Sequence, residues 1–345
     1  MSLRIVVTRP IPEAGLRMLR ESGAAIEIVQ PEPDTAVDRA ALLDAAARAD
    51  VLVALLTEPI DGTVLARAVR LRGIANYAVG FNNVDVAAAT RLGIPVTNTP
   101  GVLTETTADL TWALLLASAR RIPQAHDYTV GGSYRIWGPE LWLGDDVGRG
   151  ADGEPRTLGI VGFGRIGQAV ARRARGFDMR VVAYDPYMRD TIDASPDVGW
   201  SELDALLERS DFVTLHALLT AETHHLIGER ELRRMKTTAH LINVARGELV
   251  DEAMLVRALR ERWIAGAALD VYEREPAMAE GLAACDNAVL VPHIGSATHG
   301  TRNRMATMAA TNAIAHLNLQ RAPNIVNPEV YDSPRYIQRS SGSAT

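Results

Sequence analysis

The chain has 345 residues, and at roughly 150 residues per domain two domains are expected. Lys+Arg number 36 against 42 Asp+Glu, so the formal net charge is -6. This argues against a general nucleic-acid binder and against a polybasic membrane-surface protein. A single cysteine, Cys285, excludes an internal disulfide and reads as a small buried hydrophobe in a reducing compartment.

Hydrophobic residues make up 47% of the chain, enough for a core in each domain. The N-terminal MSLRIVVTRP lacks the apolar run of a signal peptide, and WALLLASA is too short to span a bilayer. A soluble cytoplasmic protein is expected.

In chain order, RIVVT reads as a strand, followed by a helix around IPEAGLRMLRES. IEIV, VLVALL, RGIANY and IPVTN read as further strands, the rhythm of a parallel α/β domain that ends near Asn98. The stretch from Glu105 to Pro123 is apolar on most faces and reads as one buried or inter-subunit helix. A Gly- and Trp-rich loop follows, and its GRGADGEP part reads as a flexible surface insertion. From Thr157 a second α/β domain begins, with strands near TLGIVG, RVVAYD, FVTL, AHLINV, AGAALDV and AVLVP. A helix is expected from about Gly300 to Gln320. The polar, Ser-rich residues 331–345 read as a flexible tail.

The most informative stretch is VGFGRIGQAVARRARGFDMRVVAYD. Gly162, Gly164 and Gly167 form G-x-G-x-x-G between a strand and a helix, and a second strand ends in Asp185. Gly162 permits the tight turn, Gly164 lets backbone approach a pyrophosphate, and Gly167 lets helix pack on strand. The helix N-terminus offers unpaired N–H groups to phosphate. Asp185 suits the adenosine ribose hydroxyls and repels a 2′-phosphate, so NAD is favoured. Arg189, a few residues on, partly offsets that repulsion and keeps NADPH open.

A hydride transfer also needs a substrate anchor and a proton donor. Arg246 follows the strand AHLINV, where ligands of open α/β sheets bind, and an arginine there can clamp a carboxylate. A surface arginine pairing with a local acid is the other reading. Asp270 ends the next strand, Glu275 follows in its loop, and His293 follows the last strand. A carboxylate beside a histidine favours the imidazolium, which can then hold a proton near neutral pH. His224 and His225 read as loop surface, since no metal-ligand spacing is present.

In order and spacing, GFGRIG with Asp185, LINVARGELVDE, AALDVYEREP and VPHIGSAT resemble the D-isomer-specific 2-hydroxyacid dehydrogenase family. ANYAVGFNNVD, TNTPGVLTETTADLTWALLLASARR and WGPELWLG are similar to its glyoxylate/hydroxypyruvate reductase branch. The resemblance implies a Rossmann-type doubly wound nucleotide domain, 99–295, inserted into a smaller flavodoxin-like α/β substrate domain, 1–98 completed by 296–330, with a cleft between them. It implies that Arg246 binds the substrate carboxylate, that His293 donates a proton to the keto oxygen, and that Glu275 holds His293. Val79 and Gly80 would receive the carboxylate, and Ser296 would stand beside the histidine. Asp270 would bond the nicotinamide carboxamide, and Thr107 would lie near the cofactor phosphate. Phe163, Arg165, Ile166, Pro186, Val244, Ala245 and Gly295 would complete the cofactor site with the three glycines and Asp185. A homodimer through the 105–123 helix is implied, and Trp137 either reaches the partner's site or packs in its own loop.

The chain departs from the family at HALLTAET and MKTTAHLINV, where Leu218, Ala221 and Thr237 replace common prolines, and in a longer 145–156 segment. The expected activity is NADH-dependent reduction of glyoxylate and hydroxypyruvate. Other D-2-hydroxyacid dehydrogenases, of lactate, phosphoglycerate or phosphite type, are the nearer alternatives. An NAD-sensing corepressor on the same fold is the alternative of another class.

Overall fold

The computed structural model describes residues 3–32 and 34–341. Its contacts divide the chain into two compact units, residues 1–103 with 297–345, and residues 104–296.

The first unit runs β1 (Arg4–Val7), α1 (Glu13–Glu21), β2 (Ala25–Ile28), α2 (Arg39–Arg48), β3 (Val51–Leu55), α3 (Gly62–Arg67), β4 (Gly73–Tyr77), α4 (Val86–Arg91) and β5 (Val96–Thr97). All pairings are parallel, in the flavodoxin-like order β2-β1-β3-β4-β5. β3 and β4 are buried on both faces because helices cover the sheet from either side. Asp38, Asp61 and Asp85 cap α2, α3 and α4, each accepting backbone N–H bonds from the first turn.

The second unit runs α5 (Thr104–Ala119), α6 (Ile122–Val130), β6 (Thr157–Val161), α7 (Arg165–Ala174), β7 (Arg180–Tyr184), α8 (Arg189–Asp193), β8 (Val198–Trp200), α9 (Leu203–Arg209), β9 (Phe212–Leu215), α10 (Glu229–Arg234), β10 (His240–Asn243), α11 (Glu252–Arg260), β11 (Gly266–Leu269) and β12 (Ala288–Leu290). The chain then returns to the first unit as α12 (His299–Leu317) and α13 (Pro334–Ser341). The seven-stranded parallel sheet has the order β8-β7-β6-β9-β10-β11-β12, a doubly wound Rossmann arrangement. Its order reverses between β6 and β9, and this switch point lies beside the glycine turn. Two apolar clusters cover its faces, one around Leu241 and Leu255, the other around Ile160 and Ile242.

Three sequence expectations change. The single helix expected over 105–123 is two helices, because Arg121 turns left-handed (φ 51°) and Asp145 N–H bonds the Ala119 carbonyl that would continue α5. β8 was not anticipated, since three residues beside a polar loop give too short a pattern to see. The flexible tail expected over 331–345 is ordered as far as Ser341, in a 3-10 turn and α13. Tyr331 and Tyr336 are buried edge-to-face, 5.0 Å apart, and their hydroxyls bond Ala322 N–H and the Leu319 carbonyl. These two rings anchor a stretch whose average composition is polar; 342–345 lie outside the described residues. The 145–156 segment is an exposed turn closed by an Arg149–Pro155 bridge and an Arg156–Asp152 ion pair of 3.0 Å. No described helix is long and apolar enough to cross a membrane.

α12 packs on β4 through His316, which is 1% exposed, and Gly73 is required there because a Cβ would collide with the imidazole. Thr97 Oγ1 lies 3.2 Å from His316 Nε2, while Nδ1 is buried without a partner. Burial pushes the imidazole down from 6.5 to about 4. A histidine held neutral stabilises fully above its unfolded value, and the advantage drains as pH falls toward the folded one, by on the order of 3 kcal/mol. Urea unfolding at pH 7.5 and pH 4.5 should show this loss, and His316→Leu should reduce it. An equal pH dependence in both proteins would contradict it.

Candidate active site

The glycine turn has the geometry its residue types imply. Gly162 sits at φ 91°, and a Cβ there would lie 2.5 Å from Ala217 N. A Cβ on Gly167 would strike the Gly162 carbonyl, whereas Gly164 faces open space. Gly164 is the N-cap of α7 with no side-chain cap, unlike the Asp-capped helices of the first unit. The first N–H groups of α7 at Arg165 and Ile166 are thus left for an anion. Phe163 is buried, and its N–H bonds Asp185 Oδ2 at 2.9 Å. Tyr187 N–H bonds Asp185 Oδ1 at 3.0 Å, so the carboxylate is fixed at the end of β7, with Pro186 between the two. These residues fit the diphosphate and ribose of a dinucleotide.

Arg246, Asp270 and His293 follow β10, β11 and β12, all at the C-terminal edge of one sheet. Asn243 builds the first turn: its side chain accepts from Ala245 N–H at 3.0 Å and donates to the Arg246 carbonyl at 2.8 Å. Val244 is buried at the base of this turn. Burial lowers the Arg246 pKa, opposed by the charges of Glu248 and Glu275. The side chain is half-buried, with Glu248 and Glu275 near it.

Asp270 is 1% exposed. Its two oxygens accept the N–H groups of Ile294 at 2.6 Å and Gly295 at 2.8 Å. Burial pushes its carboxyl up to about 6, against those two bonds and the His293 charge. Thr107, buried on α5, donates to the Gly295 carbonyl at 3.0 Å, so Thr107 meets the site through this turn. Ser296 comes next in the same turn.

His293 Nδ1 lies 2.8 Å from Glu275 Oε2. Burial alone would raise Glu275, but the bond and charge of His293, the Tyr272 N–H and the Arg246 charge hold its carboxyl below the usual range. An ionised Glu275 makes Nδ1–H the donor and leaves Nε2 for a reacting atom. His293 adopts a left-handed backbone (φ 52°), fixed by its N–H to the Asp270 carbonyl at 2.9 Å. Such strain in a non-glycine residue recurs at functional sites.

A chain with this turn, this acid and this Arg/Glu/His set can be compared with known proteins. Residues 112–295 match the model of "D-isomer specific 2-hydroxyacid dehydrogenase, NAD binding domain". The chain belongs to the D-isomer specific 2-hydroxyacid dehydrogenase family. Its relatives include a glyoxylate reductase of Korarchaeum cryptofilum, 49% identical over 96% of this chain and 97% of that one. Another, from Thermococcus gammatolerans, is 49% identical over the same shares. The solved TT0316 protein of Thermus thermophilus superposes with a TM-score of 0.85 at 45% identity, covering 94% of this chain and 100% of that one. An NADPH-dependent glyoxylate/hydroxypyruvate reductase of Sinorhizobium meliloti, solved with NADP and malonate, gives 0.80 at 32% identity, covering 94% and 97%. As a family member the chain is an oxidoreductase with a nicotinamide-nucleotide domain.

In the first unit, side-chain amides shape the loop after β4. Asn98 bonds the Val79 carbonyl at 2.7 Å and Asn76 the Gly80 carbonyl at 2.9 Å. The N–H groups of Val79 and Gly80 have no acceptor among the described residues. Neither asparagine stands out in the sequence: Asn98 works through a carbonyl 19 residues away, and Asn76 through one 4 residues on with no pattern to mark it. The departing loop HALLTAET is tied by Thr223, which accepts Thr220 N–H at 2.7 Å and donates to the Leu218 carbonyl at 2.6 Å. Leu218 itself is exposed, as is Ala221, and Thr237 sits in a turn closed by Ala239 N–H on the Lys236 carbonyl.

Proposed function

We propose that this dehydrogenase reduces glyoxylate and hydroxypyruvate to their 2-hydroxyacids, the latter to D-glycerate, with NADH as the preferred cofactor. The observation that carries the reading is the His293–Glu275 pair at 2.8 Å, in the field of a half-buried Arg246 on the same sheet edge as the glycine turn. When bound, the dinucleotide supplies the hydride. Arg246 binds the substrate carboxylate and polarises the keto oxygen. Val79 and Gly80, whose N–H groups have no acceptor among the described residues, are the first unit's proposed carboxylate ligands. His293 holds a proton at Nε2 and gives it to the keto oxygen, and Glu275 orients the ring through Nδ1. Ser296 stands beside this histidine. Gly162 to Gly167, Thr107, Asp185, Pro186, Val244, Ala245, Asp270 and Gly295 hold the dinucleotide. Loss of NADH absorbance on adding glyoxylate or hydroxypyruvate tests this reading.

The NADH preference rests on Asp185, whose carboxylate repels a 2′-phosphate. Arg189, the residue that would offset it, stacks over Trp200 at 4.1 Å and lies 3.7 Å from Asp193, so its charge is engaged elsewhere. NADPH remains the weaker cofactor. Asp185→Ala should narrow the NADH-to-NADPH ratio of kcat/KM by about tenfold. An unchanged ratio would place the discrimination at another residue.

We also place the protein in the cytoplasm as a homodimer. Its lone cysteine, Cys285, is a free, buried thiol, in keeping with a reducing compartment. α5 spends most of its apolar surface inside its own unit. The stretch after it exposes Ile122, Val130, Ile136, Trp137 and Leu143, and a partner subunit would cover these side chains.

A further inference from the structure

The two histidines of AETHHLIG hold no metal spacing, yet one of them ties the catalytic loops together. The loop after β9 docks on the segment that follows Arg246. His225 N–H bonds the Glu248 carbonyl at 2.8 Å, Ile227 N–H the Leu249 carbonyl at 3.0 Å, and Asp251 N–H the Ile227 carbonyl at 3.1 Å. His225 is held left-handed (φ 52°), a conformation that non-glycine residues adopt under outside constraint. Its ring stacks on His224, with centroids 4.0 Å apart, and is presented to two carboxylates. Nε2, buried and without a hydrogen bond, lies 3.3 Å from Glu273 Oε1, and Nδ1 lies 4.0 Å from Asp251 Oδ2, contacts at ion-pair distance rather than in hydrogen-bond geometry. Neither acid has another basic partner among the described residues.

Glu273 is two residues from Glu275. Its backbone N–H bonds Glu252 Oε1 at 3.1 Å, and Ala279 N–H bonds Glu252 Oε2 at 2.8 Å, so the buried Glu252 brackets the loop that carries Glu275. Gly247, next to Arg246, lies so close to the Tyr272–Glu273 peptide that a Cβ there would collide with it. The Arg246 turn and the Glu275 loop are therefore in backbone contact, with Asp251, Glu252 and Glu273 crowded at their junction. Glu273 accepts the Glu252 N–H at 3.5 Å and Asp251 the Met254 N–H at 3.0 Å, and the His225 ring is the basic side chain within ion-pair distance of both acids.

We propose that His225 is a positioning residue: by holding Glu273 and Asp251 it fixes the Glu275 loop against the Arg246 turn. The catalytic part of this inference rests on the proposed roles of Glu275 and Arg246. Displacing a reacting group by about 1 Å can cost roughly 10²-fold in rate. His225→Leu, which removes both ring nitrogens, should lower kcat at least about tenfold with the KM for NADH unchanged. His225→Gln puts an amide donor beside Glu273 in place of the ring and should recover most of kcat. Hydrogen exchange at the amides of Glu273 and Ala279 should quicken about tenfold in His225→Leu, with Tm close to wild type. Wild-type kcat in His225→Leu, or no recovery in His225→Gln, overturns the proposal. Should the wild-type protein turn over no 2-oxoacid, the catalytic reading fails separately. Faster exchange then still upholds the clasp, and unchanged exchange overturns it.

Discussion

His293→Ala is expected to lower kcat by about 10²–10⁴-fold while leaving the NADH dissociation constant within about twofold of wild type. The size follows from the role: only the proton donor disappears, and the glycine turn and Asp185 are untouched. Ring removal also leaves Glu275 without its closest partner, at 2.8 Å. Burial then acts on the Glu275 carboxyl with one opposing influence fewer. His293→Asn serves as a companion, because asparagine tolerates the left-handed backbone at this position. Stopped-flow reduction and NADH fluorescence titration read the two quantities separately. Undiminished turnover in both variants would remove His293 from proton transfer, and lost NADH binding would make it a cofactor ligand instead.

The second large effect is expected at Arg246. Arg246→Gln should lower kcat/KM for glyoxylate by at least about 10²-fold, since a bidentate clamp on a carboxylate loses both its charge and its geometry. Arg246→Lys should recover little, because an ammonium cannot reproduce the planar fork. The guanidinium is already oriented from below, with Nη1 bonding the Ala245 carbonyl at 2.6 Å, and Asn243 shapes the turn beneath it. Steady-state kinetics with both variants would measure the loss. A kcat/KM within a factor of about two of wild type would show that the carboxylate is anchored elsewhere.

Much of the site is legible in the sequence because backbone geometry dictates residue type there. Only glycine fits at positions 162 and 167, and the acid at 185 must end the next strand. Arg246, Asp270 and His293 are legible for a related reason: each follows the end of a β run within a few residues. His293 and Glu275, 18 residues apart, suggest an acid/base pair by residue type, and the family resemblance is what implies their contact. Asn98 and His225 stay hidden because each acts on a group far along the chain, and Asn76 and Asn243, which act on groups two to four residues on, because a lone asparagine does not announce which carbonyl it will meet. The left-handed backbone of Arg121 is hidden too, as arginine carries none of glycine's signal, and it splits a helix that periodicity reads as continuous. The ordered tail is missed because two tyrosines outweigh the polar residues around them.

The most direct test of the account is NADH consumption by the purified chain with glyoxylate and with hydroxypyruvate, run in parallel with NADPH. The account predicts rapid loss of NADH with both acids, a slower rate with NADPH, and one equivalent of hydroxyacid per NADH. Measurable NADH binding with no turnover of either acid would contradict it.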